Sequence, residues 1–152
     1  MNHESQLIEW RRELHTWPEL SGQEFATTAR LRGWLAAAGI RILDYPLETG
    51  VVAEIGSGET VIALRADIDA LPIHEPSGVR FHSRHPGVMH ACGHDLHSAV
   101  KQAQQVECKN ALHPECHDAS HGKDCTADRA PNNMRFFIIF LQISALLFRR
   151  PT

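Results

Sequence analysis

No stretch of this chain approaches the roughly 18 consecutive apolar residues that a membrane-spanning helix needs. The opening Met-Asn-His-Glu-Ser lacks the basic, apolar and small-residue order of a secretory leader. A basic excess is missing too. The chain holds 15 Lys and Arg against 18 Asp and Glu, a net charge of -3 with histidine neutral, which argues against a nucleic-acid binder that relies on a positive surface. No internal repeat is visible. These absences give the expectation of a soluble, cytoplasmic protein with no nucleic-acid partner and no membrane span. What is present suits one ordinary domain: 152 residues, 43% hydrophobic and 22% charged.

Lysine is absent from the first hundred residues, which hold eight Arg against thirteen acids. Residues 101–152 hold all three Lys and four Arg against five acids, together with three of the four Cys (Cys108, Cys116 and Cys125). The charge balance changes sign across Val100. A seam of this kind fits two domains, a fusion, or translation past a frameshift.

The first hundred residues read as helices followed by strands. Leu7, Ile8, Trp10, Leu14 and Trp17 recur at helical spacing, and Pro18 ends that helix because the residue before proline is driven out of helical geometry. Ser21-Gly22-Gln23-Glu24 has the form of a capping box, opening a second helix through Phe25, Leu31, Trp34, Leu35 and Ala38, stopped by Gly39. A weak strand is expected over 41–47. Val51–Ile55 and Thr60–Leu64, joined by a Gly-Ser-Gly-Glu turn, suggest a β-hairpin whose second strand is apolar enough to be buried on both faces. A further helix is expected from about Asp95. This order describes an α/β layer architecture.

Two clusters carry candidate chemistry. The apolar run ends in Arg65-Ala66-Asp67-Ile68-Asp69, and the carboxyl ends of strands in open α/β sheets are where ligands bind. The plainer reading of these carboxylates is an acidic turn paired with Arg65. The second cluster is His90-Ala91-Cys92-Gly93-His94-Asp95-Leu96-His97. Cys92 and His94, two residues apart in extended backbone, can point the same way and share one cation, with Asp95 accepting a ring N–H behind them. The plainer reading is a loop with incidental histidines, since a structural zinc wants four ligands.

Four motifs in series, 11–21 (Arg-Arg-Glu-Leu-His-Thr-Trp-Pro-Glu-Leu-Ser), 49–53 (Thr-Gly-Val-Val-Ala), 63–73 (Ala-Leu-Arg-Ala-Asp-Ile-Asp-Ala-Leu-Pro-Ile) and 86–97 (Pro-Gly-Val-Met-His-Ala-Cys-Gly-His-Asp-Leu-His), closely resemble the start of a group of metal-dependent amidohydrolases. The group contains hippurate hydrolases, auxin-conjugate hydrolases and N-acetyldiaminopimelate deacetylases, within the aminoacylase and carboxypeptidase metallopeptidase family. The resemblance covers residues 5–99. It implies the N-terminal part, over 1–100, of a zinc-peptidase-like α/β sandwich with a central mixed sheet. It implies hydrolysis of the amide of small N-acyl amino acids with a divalent metal: zinc, manganese, cobalt or nickel. Cys92 and His94 match metal ligands, Asp69 matches the catalytic aspartate, and Asp67 falls where distant relatives carry a metal-binding histidine. The family's general-base glutamate sits in a Glu-Glu pair beyond the Cys-Gly-His motif, and neither Glu107 nor Glu115 belongs to such a pair. The later metal ligands and the inserted lid domain through which relatives dimerise have no counterpart.

Residues 101–152 match no family motif and are expected to be an unrelated, poorly ordered tail. Cys108, His113, Cys116, His117, His121 and Cys125 lack zinc-finger spacing. The apolar run Phe136–Phe148 is too short to span a bilayer and reads as a buried, membrane-surface or aggregation-prone segment. Beside the amidohydrolase fragment stand two other readings: a non-catalytic remnant that binds metal weakly, and a small interaction protein docking through the apolar tail.

Overall fold

The computed structural model describes residues 3–76, 78–112 and 134–141. Helix α1 (His3–Thr16) ends one residue before the Trp17-Pro18 pair, as the proline dictates. Its buried stripe is narrower than the sequence suggests. Trp10 and Leu14 are buried with His15 beside them, while Ile8 and Trp17 are exposed. Helix α2 (Phe25–Ala37) begins later than a capping box on Ser21 would place it. Its first amides are capped from outside, where Glu19 accepts from the Ala26 and Thr27 N–H groups at 3.1 and 2.6 Å. Gly39 closes the helix with Ile40 N–H returning to the Leu35 carbonyl at 2.9 Å.

Four strands form one mixed sheet: β1 (Arg41–Leu43), β2 (Val51–Gly56), β3 (Thr60–Ala66) and β4 (Met134–Phe140), in the order β1-β2-β4-β3. Helix α3 (His94–Leu112) separates β3 from β4 in sequence. The α/β class expected from the sequence is therefore observed, but the hairpin is not. β2 and β3 do not pair. β4 lies between them, antiparallel to β2 (Val51↔Phe140, Ile55↔Phe136) and parallel to β3 (Thr60↔Met134, Ala66↔Phe140). The turn after β2 has to cross one intervening strand, about 10 Å at normal strand spacing, and does so with Gly58 N–H bonded to the Met134 carbonyl.

Three expectations are corrected by this insertion. The segment 134–141 is no loose tail, because its apolar run Met-Arg-Phe-Phe-Ile-Ile-Phe suits a strand flanked on both sides. The remaining residues beyond 112 lie outside the described ones. β3, expected to be buried on both faces, is an edge strand among the described residues, exposed along most of its length. The boundary drawn at residue 100 falls inside α3, which runs to Leu112.

The core sits between α2 and one face of the sheet. Pairing places Val51, Ala53, Ile55, Ile138 and Phe140 on that face, where Leu31 and Leu35 pack against them. A second cluster, Trp10 with Ala99 and Ala103, joins α1 to α3, and Trp34 stacks on Trp10 at 5.4 Å between ring centroids. Gly50 carries the closest backbone approach. At φ +94° it lies against the Phe140 carbonyl, where no Cβ fits.

Candidate metal and catalytic site

The chain leaving β3 is clamped on both sides. Ala70 N–H bonds the Glu19 carbonyl at 2.8 Å, and Leu71 exchanges two backbone bonds of 3.0 Å with Met89. The second clamp brings the 90–94 loop alongside Asp67 and Asp69. Gly93 (φ +85°) turns the loop into α3, in a conformation that a residue with a Cβ adopts poorly, and its carbonyl accepts from the Leu96 and His97 amides. Ser98 Oγ ties the first turn of α3 to the Asp67 carbonyl at 3.0 Å. Sequence-distant segments are thereby fixed at the carboxyl end of a strand, where open α/β sheets place ligands.

The two aspartates part company. Asp67 Oδ1 takes two bonds from the Arg65 guanidinium, at 2.9 and 2.7 Å, which is the plainer reading of this pair. Asp69 instead faces His94, whose Nδ1 lies 3.0 Å from both its backbone carbonyl and its Oδ1. Two acceptors at Nδ1 place the ring proton there, leaving the Nε2 lone pair as a ligand. Asp69 thus does what the sequence suggested for Asp95. The Cys92 thiol points at the same Asp69 carbonyl, 3.8 Å away. His97 is exposed, with its ring 6.5 Å from that of His94.

Among the described residues, no three His, Cys, Asp or Glu side chains converge into a cation cage. The donors present, a thiol and an oriented imidazole nitrogen, fit two positions of a divalent cation's shell. Asp67 Oδ2 lies 4.0 Å from His94 Nε2. Glu107 stands on α3 thirteen residues after His94, about 20 Å along the helix axis. Glu115 and the histidines and cysteines of 113–125 lie outside the described residues.

A buried ion network missed in the sequence supports this loop. His15, on α1, holds Asp95 Oδ2 with Nδ1 at 2.8 Å and Glu75 Oε1 with Nε2 at 3.0 Å, while Arg11 Nε bonds Asp95 at 3.0 Å. Burial acts to raise the pKa of Glu75, but the Ser83 amide and His15 outweigh it and hold this carboxylate below its usual range. The available signal was the Arg11/His15 spacing of four residues, with His15 on the stripe of Trp10 and Leu14.

His90 is buried beside this network, 6.4 Å from the His15 ring, and neither of its nitrogens has a partner among the described residues. Burial pushes its pKa down to about 4, with the neighbouring His15 and His94 adding to the effect and Asp95 and Asp69 opposing it. Glu24, expected to reach back in a capping box, is fully buried and accepts from the Gly22 amide at 3.0 Å. Burial raises its pKa, the Gly22 and Thr49 bonds pull the other way, and the negative Asp69 adds to the rise.

Residues 63–103, which contain Asp67, Asp69, Cys92 and His94, match peptidase family M20/M25/M40. The chain is 56% identical over 100 residues to an N-acetyl-L-cysteine deacetylase of Bacillus subtilis, covering 64% of this chain and 24% of that one. It is also 56% identical over 98 residues to an N-acetylcysteine deacetylase of the same organism, covering 62% of this chain and 26% of that one. The chain thus spans about a quarter of the length of the curated relatives it matches. A crystal structure of a dinuclear metal-binding M20 peptidase from Bacillus subtilis superposes with a TM-score of 0.77 at 41% identity, over 91% of this chain and 35% of that one. The α/β unit described above, with Asp69, Cys92 and His94 gathered at the end of β3, therefore matches an incomplete α/β domain of the peptidase M20 type.

Proposed function

We propose that this chain carries part of the metal site of a metal-dependent amidohydrolase that removes the acyl group from small N-acyl amino acids. The observation that carries the reading is the orientation of His94 by Asp69 with the Cys92 thiol against the same carbonyl. Cys92 and His94 would hold a divalent cation of the zinc, manganese, cobalt or nickel class, and Asp69 fixes the His94 tautomer. Such a cation, when bound, polarises an amide carbonyl and lowers the pKa of its water. The names of the Bacillus subtilis relatives favour an N-acetyl amino acid as substrate. A thiol ligand has to stay reduced, which favours the cytoplasm.

The 152-residue chain by itself is expected to bind metal weakly and to turn over no substrate. Two protein ligands leave most of the shell to water, and Glu107 stands far along α3 from His94. The test uses cobalt as a spectroscopic probe. Thiolate-to-cobalt absorption should appear on titration, vanish in Cys92→Ser, and weaken roughly 10- to 100-fold in apparent affinity in Asp69→Ala, the usual effect of losing a residue that orients a ligand. Equal binding in all three proteins refutes the site. Hydrolysis of N-acetyl and N-benzoyl amino acids by the chain, abolished by Asp69→Asn and Cys92→Ala, refutes the expectation of inactivity.

A further inference from the structure

We propose that His15 is a proton-controlled latch: as an imidazolium it ties the segment 72–88 to helix α1, and loss of its proton releases the Glu75 end of that segment. The segment leaves and returns through the backbone pair of Leu71 and Met89, and its described residues form no helix or strand. Its contacts converge on the end of α1 and the residues just after it. Arg84 N–H donates to the Thr16 carbonyl at 2.8 Å, the Thr16 hydroxyl donates to the Phe81 carbonyl at 3.3 Å, and His85 Nδ1 donates to the Pro18 carbonyl at 2.6 Å. The Phe81 ring meets the edge of the His15 ring at 5.5 Å, with the Arg11 and Arg12 guanidinium groups over it at 5.0 and 5.4 Å.

At the centre of these contacts His15 has a carboxylate on each ring nitrogen, Asp95 at 2.8 Å from Nδ1 and Glu75 at 3.0 Å from Nε2. The three side chains are 5%, 1% and 9% exposed. An ionised carboxylate only accepts, so both bonds form only when both nitrogens carry protons. Charge points the same way. Two carboxylates and one guanidinium, that of Arg11, surround the ring, and a neutral His15 leaves one buried negative charge uncompensated. The remaining neighbours do not replace it. His90, 6.4 Å away, is kept neutral by burial, with a pKa of about 4, and His82 is an exposed residue of the segment itself. When the ring gives up a proton, one bond has to break. Asp95 is the nearer and more buried partner and is shared with Arg11, so Nδ1 keeps its proton. The Nε2 lone pair then faces Glu75 Oε1, and the latch fails on the side of the segment. This switch rests on hydrogen bonding and charge alone and is independent of metal binding or hydrolysis.

The test joins nitrogen-15 NMR of the histidine rings to deuterium exchange of the amides of 75–85, corrected for their intrinsic rates, on the 152-residue chain in chelator between about pH 5.5 and 9. His15 should be doubly protonated at the acid end. As its ring titrates, protection of the segment should fall roughly 10- to 100-fold, the loss of one hydrogen bond between charged groups, while the α2 amides keep theirs. Glu75→Gln should reverse the sign. Glu75 Oε2 accepts from the Ser83 amide, so the single oxygen of a glutamine can take that bond while its NH2 donates to a neutral Nε2. An imidazolium competes with Ser83 for the same oxygen. Glu75→Ala, which offers Nε2 nothing, should leave the segment weakly protected at every pH. A His15 ring neutral at the acid end, wild-type protection that does not fall as pH rises, a Glu75→Gln chain that keeps the wild-type sign, or a Glu75→Ala chain protected like wild type would overturn the proposal.

Discussion

Acid should destabilise this protein through His90. The ring is buried, its two nitrogens have no partner among the described residues, and its pKa falls from 6.5 to about 4 in the folded chain. Above pH 6.5 the imidazole is neutral in both states and contributes nothing to the pH dependence. Between pH 6.5 and about 4 the unfolded chain takes up a proton that the folded chain refuses, so stability falls as pH falls. A depression from 6.5 to about 4 at 1.36 kcal/mol per unit corresponds to about 3 kcal/mol across that window. That is a large part of a typical folding free energy. Glu75, with its lowered pKa, also loses stability on acidification, from its ordinary 4.5 downward, at the acid end of the His90 window. Glu24, with a raised pKa, works in the opposite direction: its contribution is present in acid and lost as pH rises through the folded value. Comparison with His90→Gln cancels both carboxylates, since the amide does not titrate. Urea unfolding in chelator at pH 7.5, 6.5, 5.5 and 4.5 should show the wild-type curve dropping relative to the variant by most of this amount. Parallel curves for the two proteins would show that His90 is protonated in the folded chain, and the reasoning would fail.

Gln102 is fully buried on α3, and both of its amide atoms lack a partner among the described residues. Gln102→Leu should therefore raise the urea midpoint, by about 1–3 kcal/mol in stability, the range for an unsatisfied buried amide; an unchanged or lower midpoint would reveal a bonded amide. Gly50→Ala should destabilise the chain by at least about 1–3 kcal/mol, since its φ of +94° disfavours a side chain and the added Cβ meets the Phe140 carbonyl. Thermal unfolding checks this, and a variant as stable as wild type would deny the close approach of β2 to the end of β4.

Local chemistry was legible in the chain. Pro18 ended its helix through its restriction of the preceding residue, Gly39 ended the next through its freedom at positive φ, and the β-type runs became strands. Each of these follows from a residue's own conformational limits or from spacings of a few positions. Partnership across the fold was not legible. Nothing within 51–66 distinguishes a hairpin from two strands held apart by a third, because both leave the same apolar alternation, and β4 enters from about seventy residues away. The same holds for charge. Arg65 lay beside both aspartates in sequence, yet only the fold gave it Asp67 and gave Asp69 to His94. Asp95 read as a partner for a ring N–H of its own cluster, but the ring it meets belongs to His15, eighty residues away. Burial and long-range contact set which donor meets which acceptor, and these are properties of the packed chain that short-range pattern does not contain.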